Sequence, residues 1–182
     1  NSAYWRYITS DIRRQWAPRL ERLFREKLDQ AQTISLRATY FNGFRSVVLS
    51  DAGLAYLKSV WQQEQTIPGL RFAERDYIGM AKLLALRDVS DAEEILDAQR
   101  DRIENPDRLA RYDFVRPALS ANQQTRDAFF TSLADEGNRA REPWVLEGLR
   151  YLHHPLRAPM SESYILPSLE LVEEIQKTGD IF

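Results

Sequence analysis

Residues 33–51 read TISLRATYFNGFRSVVLSD, and two secondary structures compete for them. Ile34, Leu36, Ala38 and Tyr40 alternate with Ser35, Arg37 and Thr39, and Asn42-Gly43 follows. Taken alone, that is a β-hairpin signature: strand side chains alternate between faces, and Asn-Gly suits a tight primed turn. The same residues also put Leu36, Tyr40, Phe44, Val47 and Val48 on one side of a helix. The segment after Gly43 does not alternate cleanly, so helix is favoured and the hairpin stays open. Within a helix Gly43 costs about 1 kcal/mol relative to alanine. The choice separates an all-α chain from a mixed one.

Outward from this stretch the periodicity is helical. On the N-terminal side, Ile12, Trp16, Leu20, Leu23, Phe24 and Leu28 recur every three or four residues and predict one apolar stripe on a long first helix. On the C-terminal side, Ser50-Asp51 starts a helix through Leu54, Leu57, Val60 and Trp61, which stops before Pro68-Gly69. Tyr77, Met80, Ala81 and Leu84 share a face over 74–87. Ser90-Asp91 caps the next helix, with Glu93 and Glu94 where the helix dipole favours acids. Asn105-Pro106-Asp107 combines a capping side chain, a proline at the first helical position and an acid. Leu109, Tyr112, Val115 and Leu119 carry that helix. Helices near 122–134, 143–153 and 162–178 complete the chain. The expected fold is all-α, with about nine helices in antiparallel pairs, a HEAT/ARM-like α-α superhelix whose units bury their faces on neighbours. No internal linker is visible, which predicts a single domain over 1–182, with 1–9 as linker or appended residues.

Composition narrows the function. The 182 residues carry 43% hydrophobic and 29% charged side chains, the balance of an ordinary globular chain. Net charge is −2, which argues against nucleic acid as the main partner, because phosphate binding needs a surplus of positive charge. No apolar run approaches the roughly 18–20 residues of a membrane span. Of 25 basic residues 21 are Arg, whose rigid fork suits charged contacts between packed helices. With no Cys, disulfides, thiol catalysis and thiolate metal sites are excluded together.

Chemistry-bearing motifs are scarce. His153 and His154 are the only histidines and stand side by side in YLHHPLR, residues 151–157. A helical zinc site needs ligands one turn apart, whereas adjacent residues diverge by about 100°. Pro155 disfavours helix at His154, which predicts a helix end and a turn here. No metal site and no catalytic residue is expected. Arg116 beside Pro117 ties helices together or, on a concave surface, meets a peptide carbonyl or carboxylate.

The run RYDFVRPALSANQQTRDAFFTSLADEGNRAREPWVLEGLRYLHHPLR, followed by PSLELVEEIQKTGDIF, resembles the C-terminal helical domain of bacterial M1-type zinc aminopeptidases. LRATYFNGFRSVVLSDAGLAYLKSVWQQEQTIPGL resembles the same domain, so the likeness covers roughly residues 10–182. It implies a larger enzyme whose separate catalytic domain carries H-E-x-x-H, a downstream Glu and a G-x-M-E-N-type motif. None of these is present here: Gly79-Met80 runs on into Ala81-Lys82. The resemblance implies no cofactor in this segment, zinc in the catalytic domain of the parent protein, and no turnover by the segment alone. Its partners would be that catalytic domain and peptides in the shared cavity, which the helices wall and gate, with Arg116, His153, His154 and Arg157 as the substrate-cavity candidates. The resemblance also favours helix over 33–48 and implies exposed apolar surface where other domains dock. The alternative is a free-standing helical-repeat adaptor that binds a protein or peptide.

Overall fold

A computed structural model describes residues 3–178, with side chains to Leu171. The chain is all-α, and there is no strand among the described residues. Its helices are α1 (Ser10–Gln30), α2 (Ile34–Val47), α3 (Asp51–Trp61), α4 (Glu74–Leu86), α5 (Ala92–Asp101) and α6 (Pro106–Leu119). They continue as α7 (Gln123–Ser132), α8 (Glu136–Arg139), α9 (Glu142–Leu152), α10 (Ala158–Ser161) and α11 (Ile165–Thr178). Tight single turns, Pro155–Arg157 and Glu162–Tyr164, flank α10. Nine of these eleven helices are seven residues or longer.

Two compact units divide the chain, one through Ile95 and one from Leu96 onward, and the boundary falls inside α5 rather than in a linker. In the first unit α1 packs on α2 and α3 on α4; in the second α6 packs on both α7 and α9. The caps read at Ser50 and Asn105 form, and Thr33 and Asn122 act likewise: each accepts a backbone N–H in the first turn of its helix, at 3.0–3.2 Å.

Residues 34–47 are helix, so the hairpin alternative is excluded. Asn42-Gly43 lies within α2, where Gly43 makes a close approach rather than a turn. A Cβ there would collide with the Phe24 ring of α1. The buried side of α2 is Phe41, Phe44 and Val47, while Leu36 is exposed.

The first helix is rotated from its expected orientation. Ala17 and Leu28 are buried, but so are Arg13 and Glu21; Ile12, Trp16 and Leu23 are 45%, 43% and 47% exposed. The physical reason is specific partnering. Arg13 donates to the carbonyls of Tyr4, Trp5 and Ile8 at 2.8–3.0 Å. Glu21 accepts the backbone N–H groups of Leu49 and Ser50 at 2.7 and 2.9 Å and the Ser50 hydroxyl. Buried charge is tolerable once it is hydrogen-bonded, and a hydrophobic stripe does not register that.

The segment expected as a linker, 1–9, is built into the first unit from Ala3 onward. Tyr4 is buried and donates to Val47 O at 3.0 Å, and burial pushes its phenol up to about 12. Trp5 donates to Ser46 O at 2.8 Å.

Candidate functional site

The C-terminal end of α9 brings together most of the residues singled out from sequence. The helix stops at Leu152, and His153 is its C-cap. His154 Nδ1 accepts the Leu156 N–H at 3.2 Å and starts the turn Pro155–Arg157. This is the helix end and turn that Pro155 implied. His153 Nε2 lies 2.8 Å from Ser168 Oγ, which links α9 to α11. Arg157 is buried and donates to Leu119 O at 3.1 Å.

At the centre stands Arg126 of α7, with no exposed surface. Its Nη1 donates to Ala118 O at 3.2 Å and Ser120 O at 3.5 Å; its Nη2 donates to Leu152 O at 2.6 Å and Ser161 Oγ at 2.9 Å. The guanidinium thus joins the carbonyl ends of α6 and α9, where unpaired acceptors and the negative dipole end favour a cation. Burial lowers the Arg126 pKa, and the neighbouring Arg157 charge lowers it further. Burial and then the Arg126 charge likewise depress His153 below 6.5, which leaves the imidazole uncharged at neutral pH.

Beside this node Tyr164 donates to Asp127 Oδ1 and accepts from Gln123 Nε2 at 2.6 Å, while Gln123 also donates to Asp127 at 2.9 Å. Burial and the Asp127 bond raise the Tyr164 phenol to about 12; the Tyr164 and Gln123 bonds hold Asp127 below the usual carboxylate range. Apolar packing surrounds the node: Ala118, Phe129, Leu133, Val145, Leu149, Leu152 and Leu171 form the core of this unit.

Arg116 is placed elsewhere. It pairs with Asp97 of α5 at 2.5 Å, tying α6 to α5, and that hydrogen bond lowers the Asp97 carboxyl. An open cleft of about 640 Å³ lies between α6 and α7, with Phe114, Pro117, Ala128 and Phe129 in its lining. None of the four candidate residues lines it.

Arg126 is the residue that sequence reasoning missed. The signal was present: Arg126 lies three and four residues before Phe129 and Phe130, on the apolar side of its own helix. It belongs to a pattern. Arg37 donates to Ala31 O after α1 at 3.1 Å, Arg87 to Val48 O after α2 at 2.5 Å, and Arg139 to Leu133 O after α7 at 2.8 Å. A flat fork of donors suits several convergent carbonyls better than a point-like ammonium does, which accounts for the arginine bias.

Chemically the site is a set of donors that collects carbonyl oxygens. His153–Ser168 is its nearest approach to a base–hydroxyl pair, but Ser168 is buried and the contact holds two helices together. Among the described residues no group of three or more His, Cys, Asp or Glu stands close enough to hold a metal ion. No protein-family model matches the chain, and neither a curated protein nor a solved structure matches it.

Proposed function

We propose that this chain is the non-catalytic C-terminal helical domain of an M1-type zinc aminopeptidase, which walls and gates the peptide cavity of a separate catalytic domain. The resemblance over residues 10–182 motivates the assignment. One structural observation carries it further. Among the described residues, the large hydrophobics that stand exposed are Tyr7, Ile12, Trp16 and Leu23 at the N-terminal side, Ile34 and Leu36 at the start of α2, and Ile165, Leu166 and Leu169 on α11. Helices α3 to α9 contribute none. A free-standing helical repeat needs polar outer faces on its terminal units to stay soluble. Apolar first and last helices suit a segment that other protein covers, and this favours the domain over the adaptor.

The zinc of such an enzyme does not fit this segment. His153 Nε2 is bonded to Ser168 and His154 Nδ1 to the Leu156 N–H, and among the described residues no group of three or more His, Cys, Asp or Glu could hold a metal ion. No catalytic step is therefore assigned to these residues, and their role is to shape and hold the helices.

The test has two parts. A parent reading frame that encodes H-E-x-x-H and a downstream Glu upstream of this segment is expected; a native message that encodes this segment alone would establish the adaptor instead. The isolated chain is expected to leave aminoacyl-anilides intact with or without added zinc. Zinc-dependent turnover by it would overturn the proposal.

A further inference from the structure

Helix α11 meets the rest of the second unit through polar contacts that differ in kind. Tyr164, in the turn that opens α11, donates to Asp127 and accepts from Gln123 at 2.6 Å, both on α7. One helical turn later Ser168 Oγ lies 2.8 Å from His153 Nε2 at the end of α9. Leu171 follows and is buried in the core. Tyr164, Ser168 and Leu171 thus make the inner side of α11, while Ile165, Leu166 and Leu169 are exposed. The seam is incompletely packed. An open cleft of about 410 Å³ lies between α7, α8 and α11, lined among others by Phe130, Leu133, Pro167 and Leu171. Among the described residues α11 approaches its neighbouring helices less closely than α6 approaches α7 and α9.

His153 sits where a positive charge is unwelcome. Its ring packs edge-on against Tyr164, with centroids 6.5 Å apart. The carbonyl just before it, Leu152 O, holds the Arg126 guanidinium of α7 at 2.6 Å. Arg157, in the turn after α9, is buried on the same node. The hydrogen-bond partner of the ring is a hydroxyl, not a carboxylate. Asp127 of α7 is committed to Tyr164 and Gln123, and His154 Nδ1 to the Leu156 N–H. Arg150 and Glu162 are exposed, and Glu170, also exposed, lies about 200° around α11 from Ser168.

The contacts therefore answer acid differently. Burial and then the Arg126 charge hold the imidazole below 6.5, so an open form with the ring in water takes up the proton first. The closed form is fully favoured above 6.5 and loses ground as pH falls through its own, lower value. An imidazolium can still donate to Ser168 Oγ, so the loss comes from its charge beside Arg126 and not from a missing donor. Asp127, held below the usual carboxylate range, stays ionised in that window, and the Tyr164 contact persists.

We propose that α11 is a proton-released latch: His153–Ser168 is its catch, Tyr164 on Asp127 is its hinge, and protonation of His153 lets the helix swing away from α7 and α9. Opening uncovers Phe130, Leu133 and Leu171, an apolar surface that the closed form covers. The latch goes beyond the proposed function and does not rest on it, since every contact it uses lies within this unit.

The experiment uses the whole 182-residue chain. There is no native Cys, so Thr131→Cys on α7 and Glu170→Cys on α11, two exposed positions lining the cleft, carry a pair of spin labels. Gln124→Cys on α7 with Asn138→Cys on α8 is the control pair, away from α11. From pH 7.5 to 5.5 the closely spaced fraction of the first pair is expected to fall at least about threefold and to recover on return, with the control pair unchanged. His153→Gln keeps a polar partner for Ser168 but cannot charge, and is expected to hold the first pair closed at both pH values. A first pair that stays closed at pH 5.5 overturns the latch, as does equal opening in His153→Gln. Parallel separation of the control pair overturns it too, because the whole unit is then unfolding. Titration of the His153 ring by NMR in the unsubstituted chain tests the linkage without any variant, and a midpoint at or above 6.5 overturns the proposal.

Discussion

Replacing Arg126 with methionine tests the central node directly. Methionine keeps most of the volume and removes every donor. Of the four acceptors, Leu152 O keeps a bond from Ser161 Oγ at 2.5 Å, whereas Ala118 O and Ser120 O lose the guanidinium. Orphaning the buried Ala118 O costs about 1–3 kcal/mol, the part-buried Ser120 O costs less, and the charged bond to Leu152 O contributes about 1.5–3 kcal/mol more. Relief from burying a cation offsets part of this loss. The balance is a loss of about 3 kcal/mol, confined to the unit that begins at Leu96. Peptide-resolved hydrogen exchange is the suitable assay, because it separates the two units and converts 3 kcal/mol into exchange more than about a hundredfold faster in α7 and α9. Arg126→Lys keeps the charge but not the fork, and is expected to recover about half of the loss. Less than about fivefold acceleration in Arg126→Met would refute the reasoning, as would equal acceleration in α1 and α3.

Acid should weaken the same unit. His153 has its folded-state pKa below 6.5, so the unfolded chain takes up the proton first; the stability this group contributes is complete above that value and is lost as pH falls through the folded pKa. Urea midpoints from pH 7.5 downward should decline in the wild type and decline less in His153→Gln; identical slopes would remove His153 from the explanation. Gly43→Ala should destabilise the first unit by about 1–2 kcal/mol, since displacing the Phe24 ring outweighs the helix propensity gained; thermal unfolding that stays unchanged or rises would show that the ring yields freely. Gln63 has φ 66° just past α3, and Gln63→Gly should raise stability by about 0.5–1 kcal/mol by relieving left-handed backbone; a lower melting temperature would contradict that account.

Much of the local structure was legible. Helices α3, α4 and α6 lie where their stripes and caps placed them, because Leu54, Leu57, Val60, Met80, Leu84, Tyr112 and Val115 are apolar and face the core. The helix end at His153 was legible for a similarly local reason, since Pro155 constrains the residue before it. What misled was side-chain type read without partners. Asn42-Gly43 kept a hairpin open beside the favoured helix, and only the Phe24 ring shows why a glycine stands there. Trp16 looked like core until Arg13 and Glu21 had claimed the inner side of α1. Tyr4 and Trp5 looked like linker until Val47 and Ser46 accepted their hydrogen bonds. Of the candidate residues, His153, His154 and Arg157 come to one helix end, while Arg116 stays with Asp97.

By itself the sequence favoured an all-α chain while leaving a hairpin open over 33–51, and it indicated where most of the helices start and that the two histidines sit at a helix end. Those features follow from the 3.6-residue period and from caps within four residues of each other, both short-range properties. Only the tertiary structure decided which side of α1 faces inward and that Arg126 joins the ends of α6 and α9. Those outcomes depend on carbonyls and N–H groups supplied from distant positions, as when Leu152 O meets Arg126 or Ser50 N meets Glu21. A buried charge is stable only with such partners, so its place is set by where the backbone ends of other helices arrive.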